Sequence, residues 1–425
     1  SCPPLGSNSG YQMGNGGFRT MMHSDFKSVN RADVYRGSEL VGALERTDIG
    51  SVFRYDQRHI DKPGGISFRM PFARREFTAG GGSVPPFFAG LLPEGARLVA
   101  IKDAVKTSLD DQFTLLLAAG PDFVGDVSVV PDGQILADSP AQIDIERLAS
   151  ITFDDVWRQV VGERALAEKS IAGVHQKVSA QMMSMPIRGK LSAGEFILKL
   201  NPPDKPELVA NEAFFLKFAK TCRIDAAQAR VVFDSAGMSG LLVKRFDREV
   251  DPKTQQASKL HVEDACQFLD KYPASKYTVS FAEVLQGILE FATAPKAEVL
   301  KCLRLYAFSY LIANGDLHAK NISLITKPEG RIELSPAYDV LSTLPYGDNK
   351  MALKVEGRDD NIKSRDFIAM AGRIGVPSDA VRLMLKKLTD QVAKNLYTYD
   401  SLPFTAKQRT HLRETTEKRL RDLGD

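Results

Sequence analysis

The sequence predicts an α+β fold in which strands dominate the first part of the chain and helices the second. Strand-like runs lie between Ala32 and about Phe72 and return in EFILKL, ARVVF and GLLVKRF. Beyond Arg248 the pattern is mainly helical, with one interruption between Asn314 and Asp339. We expect the chemistry of the protein to lie in that interruption.

Length and composition indicate a folded protein of two or three domains. The chain has 425 residues, of which 43% are apolar and 26% charged, an ordinary globular composition. Residues 1–20, rich in Gly and Ser, are expected to form a disordered leader. Changes of pattern then divide the chain into an N-terminal subdomain (21–140), a strand-rich region (141–248) and a helical region (249–425).

Charge and cysteine content disfavour several classes of protein. The net charge of +3 is too small to indicate a nucleic-acid or membrane partner. The four cysteines are widely spaced and form no CxxC pair, so we expect reduced thiols rather than a disulfide framework or a zinc cluster. Since the sequence shows neither a membrane-spanning run nor a signal peptide, we expect a cytoplasmic protein.

The N-terminal subdomain is predicted to contain a hairpin followed by helices. ADVYRGSELVGALER predicts two strands that turn at Gly37. The stretch 87–106 is interpreted as one helix. In SLDDQFTLLLAAG, Ser108 is the predicted N-cap with Asp111 at the third helical position, and Gly120 ends the helix. The residues expected on its buried face are Leu109, Phe113, Leu116 and Leu117.

The polar interruption in the helical region follows a predicted helix at residues 296–313. Its buried stripe, with spacings of four, three and four residues, consists of Val299, Leu303, Tyr306 and Tyr310. Asn314 and Gly315 are expected to end this helix in left-handed conformations, which places Asp316 on the loop beyond. The following segment has the pattern of a strand, a turn at 327–330 and a second strand.

This predicted hairpin brings three oxygen-bearing side chains together. With the turn centred near 328–329, Asn321 lies opposite roughly Pro336, and Asp339 follows just beyond. Asp316, Asn321 and Asp339 therefore meet at the open mouth of the hairpin. Carboxylate and amide oxygens suit Mg²⁺, which also binds phosphates and water. The five-residue step from Asp316 to Asn321 equals the step from base to metal-binding Asn in protein-kinase catalytic loops.

The spacing predicts a phosphotransferase site that uses ATP and Mg²⁺. Asp316 would accept the proton of the attacking hydroxyl, while Asn321 and Asp339 would hold the ions that bridge the nucleotide phosphates. His318 and Lys320 would add positive charge or hydrogen-bond donors. Taken alone, NGDLHAKN is more often an ordinary polar turn between a helix and a strand, so the interpretation depends on the hairpin and on residues upstream.

A lysine on the phosphate side completes the predicted site. EFILKL presents Lys199 at the end of an apolar strand, like the VAIK lysine that contacts the α and β phosphates. Glu212, on a helix predicted at about 207–221, would form the ion pair that positions this lysine. Taken alone, Lys199 is more often a charge on an edge strand and Glu212 a solvated helix residue, so this assignment depends on the downstream loop. Upstream, SIAGVHQK could place backbone N–H groups and Lys177 over the triphosphate.

Other classes of site are disfavoured. The chain has no Walker A motif and no convincing G-x-G-x-x-G motif, which argues against P-loop and Rossmann proteins. His175 and His318 have no third His or Cys at ligand spacing, so a histidine metal site is not expected. The C-terminal stretch KQRTHLRETTEKRLRD alternates its charges, which favours a solvated helix face over a DNA contact.

The motifs resemble those of the HipA family of bacterial serine/threonine kinases, the toxins of toxin–antitoxin modules. Landmarks of the resemblance are SIAGVHQK at 170–177, LVKRFDR at 242–248, NGDLHAKN at 314–321 and LSPAYDVLST at 334–343. FFAGLLPEGARL and FVGDVSVVP are similar to the family's extra N-terminal subdomain. The resemblance covers nearly everything after residue 30. It implies a bilobal protein-kinase-like fold, with a mostly β N-terminal lobe carrying that subdomain and a helical C-terminal lobe.

The resemblance also implies a role for each site residue. It makes Asp316 the catalytic base, Lys199 the nucleotide lysine, and Asn321 and Asp339 the magnesium ligands. The implied nucleotide contacts are the loop residues Ala172, Gly173, Val174, His175, Gln176 and Lys177 and the hinge residues Lys244, Arg245 and Phe246 beside adenine. His175 and Gln176 stand where the family usually has Gln and Glu. Ser170 matches the serine that family members autophosphorylate to switch themselves off, where a phosphate would repel the nucleotide phosphates.

Function and partners are implied by the same resemblance. The chain would phosphorylate a Ser or Thr of a cellular protein, an aminoacyl-tRNA synthetase. This phosphorylation would arrest growth and lead to the dormant state called persistence. Its partner would be a helix-turn-helix antitoxin of HipB type, through which it would reach DNA only indirectly. Alternatives remain open: a small-molecule kinase, such as those acting on aminoglycosides or choline, and a catalytically silent corepressor bound to the antitoxin. An acceptor screen with labelled ATP tests the first alternative, and ATP consumption by purified protein tests the second.

Overall fold

The computed structural model describes residues 23–134, 136, 145–161, 183–188, 195–251, 253 and 257–424. Within these ranges the chain forms mixed helices and sheets, with most strands before residue 265 and most helices after it. The predicted α+β class is therefore confirmed. Short 3-10 helices lie at His23–Ser28, Gln57–His59, Ile145–Ser150, Pro273–Ser275, Ala319–Asn321, Leu344–Tyr346 and Leu396–Ser401.

An antiparallel sheet forms the centre of the N-terminal subdomain. Its strands are β1 (Arg31–Arg36), β2 (Glu39–Thr47), β3 (Gly50–Tyr55), β6 (Glu76–Gly80) and β7 (Val127–Pro131), in the order β6-β3-β2-β1-β7. Between β3 and β6 the chain forms the small hairpin of β4 (Gly65–Ser67) and β5 (Met70–Pro71). The predicted turn at Gly37 is confirmed, and its φ of 58° is a left-handed conformation that favours glycine.

Helices α1 (Pro86–Leu91), α2 (Gly95–Val105) and α3 (Gln112–Ala119) follow this sheet. The prediction of one helix at 87–106 is wrong, because the chain is extended at Leu92 and α2 starts afresh after Glu94. Pro93 lacks the backbone N–H that a continuous helix would use, and Gly95 takes a left-handed φ of 59°. A corner at residues 92–95 results, and it lies against the candidate site described below.

Helix α3 begins one turn later than the sequence predicts. Its N-cap is Asp111, whose side chain accepts a hydrogen bond from the backbone N–H of Thr114 at 3.2 Å. Arg46 pairs with the same carboxylate at 2.9 Å, so a tertiary contact fixes the cap there. The prediction of Ser108 as the cap is therefore wrong, and Leu109 is 50% exposed rather than buried.

A second antiparallel sheet contains β8 (Met183–Arg188), β9 (Glu195–Leu200), β10 (Ala229–Phe233) and β11 (Ser239–Lys244), in the order β10-β11-β9-β8. Helix α4 (Phe153–Val161) and helix α5 (Leu208–Thr221) belong to the hydrophobic clusters on its opposite faces. Because side chains alternate along a strand, Leu198 and Leu200 pack on the α4 side. Lys199 is left on the side of α5.

The remaining chain is mainly helical. Its helices are α6 (Ala265–Phe268), α7 (Phe281–Phe291), α8 (Pro295–Leu311), α9 (Ser364–Arg373), α10 (Ser378–Asn395) and α11 (Ala406–Gly424). Strands β12 (Arg248–Val250) and β13 (Ala257–Lys259) pair with each other, and β14 (His261–Asp264), β15 (Ser323–Thr326) and β16 (Ile332–Leu334) form a sheet in that order.

Helix α8 lies within the largest hydrophobic cluster of the described residues, which also includes side chains of α5, α7, α10 and α11. The predicted stripe is confirmed, because all four of its residues are buried: Val299, Leu303, Tyr306 and Tyr310. In the part of the chain that the structure describes, no helix has the length and apolar character needed to cross a membrane.

Candidate active site

A cavity of about 630 Å³ lies where the second sheet, the β15–β16 hairpin and the N-terminal subdomain meet. Apart from Glu212, every described residue of the predicted site lines it: Lys199, Lys244, Arg245, Phe246, Asp316, His318, Lys320, Asn321 and Asp339. Ser170 and the predicted nucleotide loop at 172–177 lie outside the described residues. The fold therefore brings together side chains from the sheet, the hinge and the polar loop.

Asp316 lies on the turn that follows α8. The left-handed residue at the end of the helix is Ala313, with φ of 55°, so the predicted left-handed conformations of Asn314 and Gly315 are wrong. Gly315 serves a different purpose, since a Cβ there would lie 2.6 Å from the carbonyl oxygen of Lys350. Glycine at this position permits close packing of the loop against the segment after the hairpin.

Hydrogen bonds fix the loop around Asp316. Its backbone N–H donates to Oδ1 of Asn314 at 3.2 Å, and its carbonyl oxygen accepts from Nδ2 of Asn321 at 3.0 Å. The carboxylate oxygen Oδ1 of Asp316 accepts a hydrogen bond from the hydroxyl of Tyr277 at 2.9 Å. Because the amide nitrogen of Asn321 is used inside the loop, its amide oxygen is left as the acceptor or ligand.

The predicted hairpin is confirmed, with its register displaced by one residue. β15 and β16 pair Leu324 with Leu334, and extension of this register places Asn321 opposite Ala337 rather than Pro336. The displacement arises because the turn has three residues, closed by a backbone hydrogen bond from residue 327 to residue 331. Gly330 takes the left-handed conformation there, with φ of 83°.

Tyr338 joins the two ends of the hairpin at its mouth. Its hydroxyl donates to the carbonyl oxygen of Lys320 at 2.6 Å and lies 2.6 Å from the hydroxyl of Ser323. The next residue, Asp339, has a left-handed φ of 54°, which is uncommon for a residue with a side chain. Strained backbone of this kind persists where the surrounding contacts determine it, and here it accompanies a carboxylate at the cavity.

Lys199 forms the predicted ion pair with Glu212. Its Nζ lies 2.7 Å from Oε1 and 3.0 Å from Oε2 of Glu212, and it also contacts Oδ1 of Asp339. The Glu212 side chain is fully buried and that of Lys199 is 8% exposed. Burial alone lowers the pKa of Lys199, but the carboxylates of Asp339 and Glu212 outweigh burial and raise that pKa. Burial raises the pKa of Glu212, against the opposing charge of Lys199.

His318 and Lys320 carry different charges. Burial lowers the pKa of His318, so its imidazole is neutral at neutral pH, and its Nδ1 has no hydrogen-bond partner among the described residues. Lys320 donates to Asp264 at 2.9 Å and to the carbonyl oxygen of Gly90 at 3.1 Å. Burial alone lowers the pKa of Lys320, but the carboxylates of Asp264 and Glu94 outweigh it and raise that pKa. The positive charge predicted from this pair therefore comes from Lys320 alone.

The predicted hinge at 244–246 begins where β11 ends. Arg245 is buried, and its guanidinium pairs with Asp122 at 2.9 Å and with Asp247 at 2.8 Å. The ring of Phe246 lies 5.6 Å from that of Tyr338, measured between centroids. The side chain of Arg245 thus fastens the hinge to the N-terminal subdomain.

The donor set fits a metal ion shared with a phosphate ligand. Within the described residues, no three His, Cys, Asp or Glu side chains gather into a group that could hold a metal ion. Mg²⁺ at nucleotide sites takes one or two carboxylates and completes its shell with phosphates and water. The carboxylate of Asp339, 40% exposed, and the amide oxygen of Asn321 provide such a partial set. His318, whose buried Nδ1 has no hydrogen-bond partner among the described residues, lines the same cavity.

Some residues of the cavity escaped the sequence analysis. Tyr338 directly precedes Asp339, so its position at the open end of the predicted hairpin is the sequence signal that marks it. Tyr277 and Asp264 lie on distant segments and belong to no motif, and Glu94 lies within FFAGLLPEGARL, so nothing local connects these residues with Asp316.

Comparisons with known proteins identify the family to which the chain is similar. The family model described as HipA-like C-terminal domain matches residues 169–396, and the one described as HipA N-terminal domain matches residues 32–130. The protein Y4mE of Sinorhizobium fredii strain NGR234 is 27% identical over 395 residues, which cover 86% of this chain and 91% of that protein.

The serine/threonine-protein kinase toxin HipA of Shewanella oneidensis strain MR-1 is 27% identical over 338 residues, or 73% of this chain and 75% of that protein. A solved structure of the Shewanella oneidensis MR-1 toxin–antitoxin system, HipA with HipB and operator DNA, aligns with a TM-score of 0.72. It is 20% identical and covers 92% of this chain and 97% of that chain, which confirms the predicted fold. Since the C-terminal family model alone matches more than half of the sequence, the chain belongs to the HipA family of kinases.

Proposed function

We propose that this chain is an ATP-dependent serine/threonine protein kinase of HipA type. The observation that supports the proposal most strongly is the shared cavity, which Asp316, Asn321 and Asp339 line together with Lys199. A carboxylate base, oxygen ligands for a metal ion and a lysine held by a buried carboxylate are the parts that phosphoryl transfer needs. Asp316 and Asn321 lie on the loop after α8, Asp339 follows β16, and Lys199 lies on β9, and all four side chains line the same cavity.

Asp316 is the proposed catalytic base. Its backbone N–H and carbonyl oxygen are hydrogen-bonded to Asn314 and Asn321, so the loop that carries its carboxylate has a defined position at the cavity. In this position it would accept the proton of a Ser or Thr hydroxyl as that oxygen attacks the γ-phosphate of ATP. Fixing the base in advance reduces the entropy that the reaction must otherwise lose.

Lys199 is the proposed contact for the nucleotide phosphates. Glu212 holds its ammonium group from the buried side, and the phosphates would approach from the cavity. Asn321 and Asp339 would hold Mg²⁺, which when bound neutralises charge on the β- and γ-phosphates. Lys199 and Asp339 neutralise each other in the described structure. When the nucleotide binds, the phosphates would replace Asp339 as a partner of Lys199, and the metal ion would replace Lys199 as the partner of Asp339.

The adenine would lie beside the hinge at 244–246, where the ring of Phe246 packs near Tyr338. Residues 172–177 would cover the triphosphate. Phosphorylation of Ser170 would switch the enzyme off by placing a dianion next to that loop. The division of the kinase part into lobes at 141–248 and 249–425 remains part of the proposal.

Partners and target are proposed from family membership. The solved relative is described as a toxin–antitoxin system of HipA, HipB and operator DNA. We extend this to a helix-turn-helix antitoxin of HipB type for this chain, which would contact DNA only through that partner. The proposed acceptor is a cellular protein in the cytoplasm, an aminoacyl-tRNA synthetase, whose phosphorylation would arrest growth.

Phosphate transfer by an Asp316→Ala variant tests the central claim. The purified full chain is incubated with Mg²⁺, ATP labelled at the γ-phosphate and a pooled library of Ser/Thr peptides. Loss of a general base lowers turnover by about 10²–10⁴-fold, with folding unchanged by circular dichroism. Asp390→Asn, a change at a carboxylate that is 62% exposed, is the matched control and should leave turnover unchanged. Near-normal transfer by a folded Asp316→Ala variant would refute the role of Asp316.

Phosphorylation mapped by mass spectrometry tests the finer parts of the proposal. In cells that express the chain, we expect new phosphate on a synthetase, which an Asp316→Ala variant does not produce. In vitro, we expect self-phosphorylation at Ser170 and continued activity in a Ser170→Ala variant. Phosphate only at other residues of the chain would contradict the proposed switch, while labelling of small hydroxyl compounds but of no peptide would favour the small-molecule kinase.

A further inference from the structure

The carboxylate of Asp316 has a partner outside every sequence motif. Tyr277 donates its hydroxyl to Oδ1 of Asp316 at 2.9 Å, and its ring meets that of His318 edge-on, with centroids 5.1 Å apart. Burial and the carboxylate of Asp316 raise the pKa of Tyr277, so the hydroxyl keeps its proton and remains a donor. Tyr277 is also 49% exposed and lines the cavity, so its hydroxyl lies at the solvent-accessible side of Asp316.

The backbone around Tyr277 is held in place. The N–H groups of Thr278 and Val279 both donate to the carbonyl oxygen of Ser275, at 2.9 Å and 3.0 Å. The carbonyl oxygen of Lys276 accepts from the N–H of Ala319 at 3.1 Å, which ties this turn to the loop that carries Asp316. A side chain on a turn so closely bonded keeps its position rather than swinging in and out of the site.

The N-terminal subdomain supports the same turn. Glu94, at the corner between α1 and α2, pairs with Lys276 at 2.9 Å and lies 3.9 Å from Nζ of Lys320. Burial alone raises the pKa of Glu94, but Lys320 and Lys276 outweigh it and lower that pKa, so the carboxylate is charged. Nζ of Lys276 in turn lies 5.2 Å from the ring centre of Tyr277. Contacts thus run from Glu94 through Lys276 and Tyr277 to Asp316.

We propose that Tyr277 is a positioning residue of the kinase reaction, whose hydroxyl orients the carboxylate of Asp316, and that Glu94 maintains Tyr277 in place through Lys276. The inference rests on the proposed function of Asp316 as the base. A hydrogen bond to Oδ1 restricts rotation of the carboxylate and leaves Oδ2 to accept the proton of the acceptor hydroxyl. By this inference the N-terminal subdomain contributes to the active site, because Glu94 supports the turn that carries Tyr277.

Steady-state kinetics of Tyr277→Phe and Glu94→Gln variants test this inference. The acceptor is the same pooled Ser/Thr peptide library, and ADP release is followed with the purified full chain. Tyr277→Phe removes one hydrogen bond to a charged group, so we expect kcat to fall about tenfold. The KM for ATP should stay within about twofold, because the side-chain contacts of Tyr277 are with Asp316, His318 and Lys276 rather than with the phosphate lysine or the hinge. Glu94→Gln should lower kcat about threefold, and it should add nothing in the Tyr277→Phe background.

Controls separate positioning from a general structural effect. Tyr397→Phe changes a tyrosine that is 68% exposed and should leave kcat and the melting temperature unchanged. In an Asp316→Asn background, Tyr277→Phe should cause no further loss, since there is no carboxylate to orient. An additive loss there would overturn the inference, as would a kcat within about twofold of wild type or above it in Tyr277→Phe.

The outcomes also separate the inference from the proposed function. If the unaltered chain releases no ADP and labels no peptide, the kinase assignment fails. If the unaltered chain is active and Tyr277→Phe is equally active, the kinase assignment stands and the positioning role fails. Should Tyr277→Phe prove unfolded, the Glu94→Gln variant decides, because an unchanged kcat in that variant contradicts the connection from the N-terminal subdomain to the base.

Discussion

Replacement of Lys199 by methionine separates the electrostatic role of the Lys199–Glu212 pair from its packing role. Methionine keeps the length and most of the apolar contacts of the lysine stem but removes the charge. Glu212 is then left fully buried without its ammonium partner. The carboxylate of Asp339, 40% exposed, cannot replace that partner because it has the same charge as Glu212.

The magnitude follows from the burial of the pair. Removing one partner of a buried ion pair costs about 3–5 kcal/mol while the other partner stays charged. Burial raises the pKa of Glu212 above its ordinary value of 4.5, and without Lys199 the opposing effect on that pKa is gone. An acid with a raised pKa in the folded state binds more protons there than in the unfolded state. Stability of Lys199→Met is therefore greatest at low pH and falls as the pH rises, by at most about 1.4 kcal/mol per pH unit.

Urea denaturation between mildly acidic and mildly alkaline pH provides the assay. We expect Lys199→Met to lose stability with rising pH relative to wild type. A Lys199→Met, Glu212→Gln double variant should recover much of the loss and show no such slope, because neither buried charge remains. Neither variant should transfer phosphate, since both lack the proposed phosphate contact.

The reasoning fails if the double variant is as unstable as Lys199→Met, or if the loss of stability in Lys199→Met does not change with pH. Either result would mean that Glu212 carries no buried charge in need of a partner. Full phosphate transfer by Lys199→Met would instead contradict the catalytic assignment and leave the stability argument intact.

Further predictions concern stability and the loop. Asp126 and Glu263 raise the pKa of His261 to about 9, outweighing burial, so the stability this histidine supplies is complete below its ordinary pKa of 6.5 and is lost as the pH rises to about 9. The free energy of unfolding should fall by roughly 3 kcal/mol across that range, and a His261→Gln variant should lack this fall. Arg419, 2% exposed, donates to a carbonyl oxygen at the end of α8 at 2.6 Å, so Arg419→Met should cost about 1–3 kcal/mol in chemical denaturation, because it leaves that buried oxygen without a donor. Gly315→Ala would place a Cβ 2.6 Å from a backbone carbonyl oxygen, so kcat should fall while circular dichroism stays unchanged.

The polar loop could be predicted because its geometry is local. A helix that ends, a hairpin that turns and the spacing between Asp316 and Asn321 all lie within one stretch of sequence. The predicted register differs by one residue because the sequence does not fix the length of the turn, which has three residues with Gly330 in the left-handed conformation. The break at Pro93 also has a local signal, because proline lacks the N–H that a continuous helix needs.

Contacts across long sequence separations could not be predicted from patterns. Lys320 donates to the carbonyl oxygen of Gly90, 230 residues away, and nothing in either segment signals the other. The N-cap of α3 shows the same limit. Asp111 rather than Ser108 caps the helix, because Arg46 on β2 pairs with the carboxylate of Asp111. Local preference is weak enough that one tertiary ion pair decides between neighbouring caps.

The long-range contacts connect the N-terminal subdomain with the site, although the subdomain supplies none of the predicted site residues. Asp122 holds the hinge through Arg245, and Glu94 holds the turn that bears Tyr277 through Lys276. Buried ion pairs of this kind lose much of their attraction to desolvation, so they contribute little net stability. Their directional bonds still restrict where the hinge and the proposed base Asp316 can lie, and phosphoryl transfer depends on such placement. Replacement of Glu94, which is 34% exposed, should consequently change the rate of transfer more than the stability of the chain. Replacement of Asp122 should also destabilise the chain, because the buried guanidinium groups of Arg245 and Arg248 lose a carboxylate partner.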